Sequence, residues 1–357
     1  MARVGILGLP NVGKTTLFNA LTGLSAPTAP HPFSTTEPNV GVARVPDDRL
    51  ERAAVLERSE KVVHATLDLL DLPAMSQGGS GFGARFLGRL REMEAMAAVL
   101  RAFPDEAVPD GESGVDPVSQ AETLMLELAF ADAEVFGRRA EKAAKEATSD
   151  ASKRQGAEAF LRAAAMLGEG RQLRSGSWSE SDLDAFRDLA SLTLKPVVWV
   201  INVAEDEAAG AEMEARVAAV VPDGDVVVTL SARLEEEAAR LDPADRDELY
   251  EGLGLGGGAL ARVVGATYAA LGLISFFTVG PKESRAWTVR RGARAPEAAG
   301  KIHSDLERGF IRAEVAPIEA VLAAGGWDAA KAAGSIRVEG KEYVVAEGDV
   351  LVIRFSV

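Results

Sequence analysis

The sequence predicts a doubly wound α/β domain that a helical hairpin interrupts and a small α+β module follows. Three observations carry that reading. Near the N-terminus the apolar run Val4-Gly5-Ile6-Leu7 leads into a glycine loop and then into apolar residues at helical spacing. From about residue 117 to 168, strand-like runs give way to Ala, Glu, Lys and Arg with a narrow apolar seam. Beyond about residue 273, strand-like runs return in a stretch of their own.

The loop, Gly8-Leu9-Pro10-Asn11-Val12-Gly13-Lys14-Thr15, fits the phosphate-binding pattern G-x-x-x-x-G-K-[ST]. A strand, a glycine loop and a helix N-terminus together make an anion cradle. Main-chain N–H groups point inward, the helix dipole adds positive potential, and Lys14 adds a full charge. Gly8 and Gly13 let the backbone approach a phosphate without a side chain in the way. A glycine-bearing turn before an ordinary helix would explain the pattern but not its place between strand and helix.

Residues 40–45, 65–70 and 95–103 read as further strands, alternating with polar helical stretches, as in a doubly wound sheet. In the next segment Leu124, Leu128, Ala131 and Val135 fall at i, i+4, i+7 and i+11. A polar break at Thr148-Ser149-Asp150 offers caps for a second helix, on which Phe160, Ala164 and Leu167 continue a stripe. The reading is a hairpin whose first arm, about 30 residues, reaches about 45 Å, either contacting a partner or lying flat on the main domain. Strands resume at 195–202 and 225–230. The last module has strands at 274–279 and 286–289, a helix over 295–307, and a hairpin pairing 341–345 with 350–355. The domains are expected at 1–116 with 190–273 for nucleotide binding, 117–189 for the helical insertion, and 274–357 for the final module.

Composition narrows the function classes. A chain of 357 residues holds two or three domains, and 47% hydrophobic residues suffice for packed cores. No apolar run approaches the roughly 20 residues of a membrane helix. Met1-Ala2-Arg3 precedes a core strand directly, so no leader peptide is expected, and the absence of cysteine fits the cytoplasm. Net charge is −15, against general nucleic-acid binding. Residues 282–312 are the exception: eight basic residues (Lys282, Arg285, Arg290, Arg291, Arg294, Lys301, Arg308, Arg312) against four acidic ones give +4. That window reads equally as a solvated face or as a local RNA contact.

Further residues sharpen the loop's meaning. A hydroxyl at Thr35, in Phe33-Ser34-Thr35-Thr36-Glu37-Pro38-Asn39, could join Thr15 in holding Mg²⁺, with its N–H on the terminal phosphate. Asp71 ends an apolar strand and can hold Mg²⁺ through water. Asn202-Val203-Ala204-Glu205 ends another strand, and Ser231-Ala232 follows the next. Ligands of open α/β sheets bind at such carboxyl ends. GTPases carry Asn-Lys-x-Asp there, the Asp accepting from guanine N1 and N2. Glu205 is a methylene longer and Val203 replaces the Lys, so guanine specificity is weakened and adenine becomes plausible.

These residues resemble the Obg-related, YchF-type family of P-loop ATPases over nearly the whole chain. The resemblance rests on 8–16, 33–39, 202–205, Trp287-Thr288-Val289-Arg290 and, above all, Ala298-Ala299-Gly300-Lys301-Ile302-His303-Ser304-Asp305-Leu306-Glu307-Arg308-Gly309-Phe310-Ile311-Arg312-Ala313-Glu314-Val315. It implies a small-GTPase-like P-loop domain, a coiled-coil insertion and a C-terminal TGS module of β-grasp type. It implies ATP preferred over GTP, Mg²⁺, and a cytoplasmic monomer associated with the ribosome, at its large subunit. By position, Asn11, Val12, Gly13, Lys14, Thr15 and Thr16 would bind phosphates. Thr15 and Thr35 would bind Mg²⁺, and Phe103, Asn202, Val203, Glu205, Ser231 and Ala232 would lie around the base.

One departure concerns turnover. The family reads Asp-x-Ala-Gly-Leu where this chain has Asp71-Leu72-Pro73-Ala74-Met75, so the glycine that senses the γ-phosphate is Ala74. Met75 cannot orient water, and Gln77 reads as a loop residue. No residue is a convincing general base; Lys14 and Thr35 support phosphoryl transfer electrostatically. The expectation is a slow switch in which nucleotide orders the loop around Thr35. The alternative is a GTP- or GDP-holding module that docks on ribosome or RNA with negligible hydrolysis. His31, His64 and His303 show no ligand spacing, and no zinc site is expected.

Overall fold

The computed structural model describes residues 2–26, 38–72, 83–104, 115–204, 210–252 and 258–356. In chain order its elements begin with β1 (Arg3–Leu7), α1 (Lys14–Thr22), β2 (Asn39–Arg44), α2 (Asp48–Glu57), β3 (Val62–Val63), β4 (Thr66–Asp71), α3 (Ala84–Arg91) and β5 (Ala95–Arg101). They continue with α4 (Pro117–Ser149), α5 (Arg154–Gly168), α6 (Glu180–Phe186), β6 (Val197–Asn202), α7 (Ala211–Ala218), β7 (Val226–Leu230), α8 (Ala232–Ala238), α9 (Pro243–Gly252) and α10 (Ala259–Ala270). The last are β8 (Leu273–Thr278), β9 (Ser284–Arg290), α11 (Ala295–Ile302), α12 (Ser304–Arg308), β10 (Phe310–Pro317), α13 (Ile318–Ala324), α14 (Trp327–Ala332), β11 (Arg337–Glu339) and β12 (Asp349–Phe355). Contacts divide the chain into two compact units, Met1–Val42 with Asp68–Thr267 and Ala43–Leu67 with Tyr268–Val357.

The sheet of the first unit has the order β2-β4-β1-β5-β6-β7. β4, β1, β5, β6 and β7 run parallel. Every residue of β5 and β6 is buried, as expected of parallel strands covered on both faces. Trp199, Leu100, Ile201 and Met96 sit in a core that also takes Leu124 and Leu128 from α4. β1 lies between the two halves of the strand order, where ligand crevices form.

The hairpin is α4 packed against α5. Asp116 caps α4 by accepting from Ser119 N–H, and Pro117 sits in the first turn, where no N–H is missed. The helix stops at Ser149, and Asp150 accepts from Ser152 N–H at the corner. At 33 residues α4 spans about 50 Å. The buried stripe differs from the expected seam. It runs Leu124, Leu128, Asp132, Phe136 and Ala140, every fourth residue, with Ala131 and Val135 only half-buried. Two partners outside the helix pull the stripe that way. Phe136 packs edge-on to Phe186 with centroids 5.2 Å apart. The fully buried Asp132 accepts from Arg91 (2.9 Å), Ser191 Oγ (2.7 Å), Thr193 N (2.9 Å) and Thr193 Oγ1 (2.8 Å).

The sheet of the second unit has the order β11-β10-β12-β8-β9-β3. β8 and β9 form an antiparallel pair, and β12 lies between β8, to which it is parallel, and β10, to which it is antiparallel. Ala295, Ala298 and Ala299 of α11 pack on this sheet with Phe276, Val315 and Leu351. That is a β-grasp arrangement. Segment 43–67 belongs to the same unit: β3 pairs with β9, and Arg49 donates to Glu347 at 2.5 Å.

Two expectations for this unit are corrected. The helix over 295–307 is broken at His303, whose backbone is extended and whose Nδ1 accepts from Asp305 N–H. The hairpin of 341–345 with 350–355 does not form. Both edges of β12 are already taken by β8 and β10. Residues 343–345 pair instead with the start of α11, through Ala295 N–H to Tyr343 O and Val345 N–H to Ala293 O, both 2.9 Å.

Candidate nucleotide site

The strand register collects the predicted residues along one edge. Ile6 lies beside Asp71, Leu7 beside Ala98, Arg101 beside Asn202, and Asn202 beside Leu230. The carboxyl ends of β1, β4, β5, β6 and β7 therefore form a row, with the glycine loop at its centre.

The loop requires its glycines. Gly8 has φ +155, and a Cβ there would meet Val99 O at 2.5 Å. Gly13 has φ +94, and a Cβ would lie 2.3 Å from Asn202 Nδ2. Asn11 also takes a left-handed conformation, φ 60, which Asn tolerates better than most residues.

Lys14, the first residue of α1, is buried. Its Nζ donates to Gly8 O at 3.2 Å and Leu9 O at 2.8 Å, folding the ammonium back over the loop. Burial lowers its pKa to about 8, against the opposing pull of the nearby Asp71 charge. An ammonium held dry at a helix start is arranged to meet an anion.

Thr15 Oγ1 donates to Asp71 Oδ2 at 2.7 Å, and Asn39 Nδ2 donates to the same oxygen at 3.1 Å. The donor set is a hydroxyl and a carboxylate beside a phosphate loop, hard oxygen chemistry that fits Mg²⁺. Thr16 follows, half-buried.

Asn202 acts as a strut. Its Nδ2 donates to Val12 O at 2.9 Å and its Oδ1 accepts from Ala232 N at 2.9 Å, linking the glycine loop to α8. Ser231 caps α8 by accepting from Leu234 N–H. Val203 is buried in the core. Phe103 is half-buried with the Arg101 guanidinium 4.9 Å above its ring. Thr35, Glu205, Pro73, Ala74, Met75, Gln77 and His31 lie outside the described residues.

Sequence reasoning missed two contributors. Asn39 closes the motif that contains Thr35, and a polar residue opening an edge strand was the available signal. Gln120 Oε1 accepts from Arg101 N and its Nε2 donates to Arg101 O, both at 2.8 Å, capping the end of β5 as a strand would. Nothing in the helical pattern marked it.

In the basic window, Arg285 pairs with Glu283, Arg294 with Glu342 and Arg308 with Asp305. Part of the net charge there is therefore met within the unit.

Comparison with known proteins identifies the family. A family described as 50S ribosome-binding GTPase matches residues 3–127, and the YchF GTPase C-terminal family, described as a protein of unknown function, matches residues 273–356. The protein named Ribosome-binding ATPase YchF from Bacillus subtilis is 40% identical over 363 residues, covering 99% of each chain. Obg-like ATPase 1 from Oryza sativa is 35% identical, covering 99% of this chain and 92% of its own. The solved YchF GTPase of Schizosaccharomyces pombe superposes with TM-score 0.87 at 29% identity, covering 99% of this chain and 97% of its own. Identity of 40% across essentially the full length, together with the separate match of the C-terminal residues, places this chain in the YchF family.

Proposed function

We propose that the chain is a Mg²⁺-dependent nucleoside triphosphate hydrolase that prefers ATP, turns over slowly and works as a switch at the ribosome. The observation that carries this is the buried Lys14 over the glycine loop with the Thr15–Asp71 pair beside it. It occurs in a chain whose full-length relatives are named ribosome-binding ATPases. Lys14 leaves its loop carbonyls for the β- and γ-phosphate oxygens, and main-chain N–H groups of Asn11 to Thr16 cradle the rest. Thr15, Thr35 and Asp71, the last through water, hold Mg²⁺, which when bound neutralises charge developing on the phosphoryl oxygens. Asn202 fixes the loop against α8, and Phe103, Glu205, Ser231 and Ala232 would surround the base, with Val203 beneath them in the core. Glu205 in place of the guanine-reading Asp supports adenine.

Residues 1–116 with 190–273, apart from segment 43–67 of the second unit, are proposed as the catalytic domain and 117–189 as the insertion that reports its state. The TGS module 274–357 would meet the large subunit, its basic window touching RNA, in a monomeric cytoplasmic protein. Single-turnover hydrolysis of ATP and GTP, with and without 70S ribosomes or isolated large subunits, tests this. Slow ATP cleavage that ribosomes accelerate is expected. The Pro73-Ala74-Met75 departure favours the second reading, a guanine-nucleotide docking module. Tight GDP binding with no cleavage on any ribosomal particle would select it.

A further inference from the structure

We infer that Asn39 is a positioning residue for the metal-binding carboxylate of Asp71. The inference rests on the nucleotide and Mg²⁺ reading above. The Asp71 side chain is almost fully buried at the end of β4. Among the described residues both hydrogen bonds to it fall on Oδ2: 2.7 Å from Thr15 and 3.1 Å from Asn39. The terminal torsion of an aspartate is broad, so one donor leaves the carboxylate plane free to turn. A second donor on the same oxygen, arriving from a different strand, holds that plane and keeps Oδ1 available to a metal-bound water.

An amide suits this task because it donates without bringing charge. A Lys or Arg in its place would neutralise the carboxylate and compete with the cation. An Asp would repel it. The same bond has a second consequence. Asn39 is the first residue of β2, the edge strand reached directly after the segment that holds Thr35. Its side chain ties the start of β2 to the carboxylate, a contact between positions 32 residues apart in sequence. Partners that orient metal ligands typically change metal affinity 10- to 100-fold when removed.

The test uses the full chain and a fluorescent N-methylanthraniloyl-ADP, titrated first in EDTA and then with MgCl₂. Asn39→Ala and the nearly isosteric Asn39→Leu both remove the donor, and Leu fills the space should Ala loosen the strand end. Val40→Thr, on the exposed neighbour, controls for disturbance of β2. For both Asn39 variants we expect the MgCl₂ concentration for half-maximal nucleotide retention to rise about tenfold. Affinity in EDTA should stay within about twofold, and Val40→Thr should match the native chain. Equal loss of affinity with and without MgCl₂ would show that Asn39 only braces the strand and would overturn the inference. So would an unchanged or lowered MgCl₂ requirement. Failure of the native chain to bind the probe in EDTA or MgCl₂ would instead sink the nucleotide reading itself.

Discussion

Replacing Lys14 by Met should make the empty protein more stable and useless for nucleotide. Lys14 is buried, and its pKa stands at about 8 against an ordinary 10.5. A gap of that size corresponds to about 3 kcal/mol of penalty for keeping the ammonium charged inside the fold at pH 7. Because the folded value lies below the unfolded one, the penalty is complete below pH 8 and is relieved as pH rises toward 10.5. Met keeps most of the apolar stem and removes the charge. It also removes two donors, to Gly8 O and Leu9 O, at about 0.5 kcal/mol or more apiece. The expected net gain is about 2 kcal/mol at pH 7, or about 5 °C in melting temperature for a unit of this size. In the native chain, ATP with Mg²⁺ at 100 times its dissociation constant adds about 2.7 kcal/mol. In Lys14→Met that increment should vanish. Thermal melting with and without ATP, repeated at pH 7 and pH 10, reads both effects, and the advantage of Met should shrink at the higher pH. A Lys14→Met protein that melts lower than native at pH 7, or that keeps the ATP shift, would refute the reasoning.

Other outcomes follow from the same contacts. Triphosphate affinity should be flat below pH 8 and fall about tenfold per pH unit above it, since only the charged Lys14 serves the phosphate; calorimetry in buffers of different ionisation enthalpy should show proton uptake near pH 8. Asp132→Ala removes the buried acceptor of Arg91, which keeps its bonds to the Ala131 and Ala190 carbonyls, and leaves three further donors without it; it should cost about 3–5 kcal/mol in urea unfolding. Asn202→Ala unhooks the glycine loop from α8; nucleotide affinity should drop at least tenfold while stability falls by about 1–3 kcal/mol, measured by titration and melting on the same preparation.

Local signals were legible in the sequence. The glycine loop, the strand ends at Asp71 and Asn202 and the long hairpin helix all follow from spacing within a dozen residues. What stayed hidden depends on partners far along the chain. Asp132 is an unremarkable helical residue until Arg91 and the 191–193 turn reach it. Gln120 looks like a surface polar residue, yet it closes the end of β5. Asn39 closes the motif that contains Thr35, but its bond to Asp71 joins positions 32 residues apart in sequence. The error at 341–345 has a simple cause. Alternating apolar residues around Gly348-Asp349 resemble a hairpin, but a strand has two edges, and β8 and β10 already occupy both edges of β12. Segment 43–67 offered no pattern that named its unit. It is assigned there by distant contacts such as Arg49 to Glu347 and Trp327 N–H to Glu57 at 2.6 Å.

The most direct measurement is a calorimetric titration of the native chain with ATP, GTP, ADP and GDP in the presence of Mg²⁺. We predict one ATP per chain, with GTP at least about tenfold weaker, a difference of about 1.4 kcal/mol. Absence of any triphosphate binding at millimolar concentration, or GTP binding more tightly than ATP, would contradict the account.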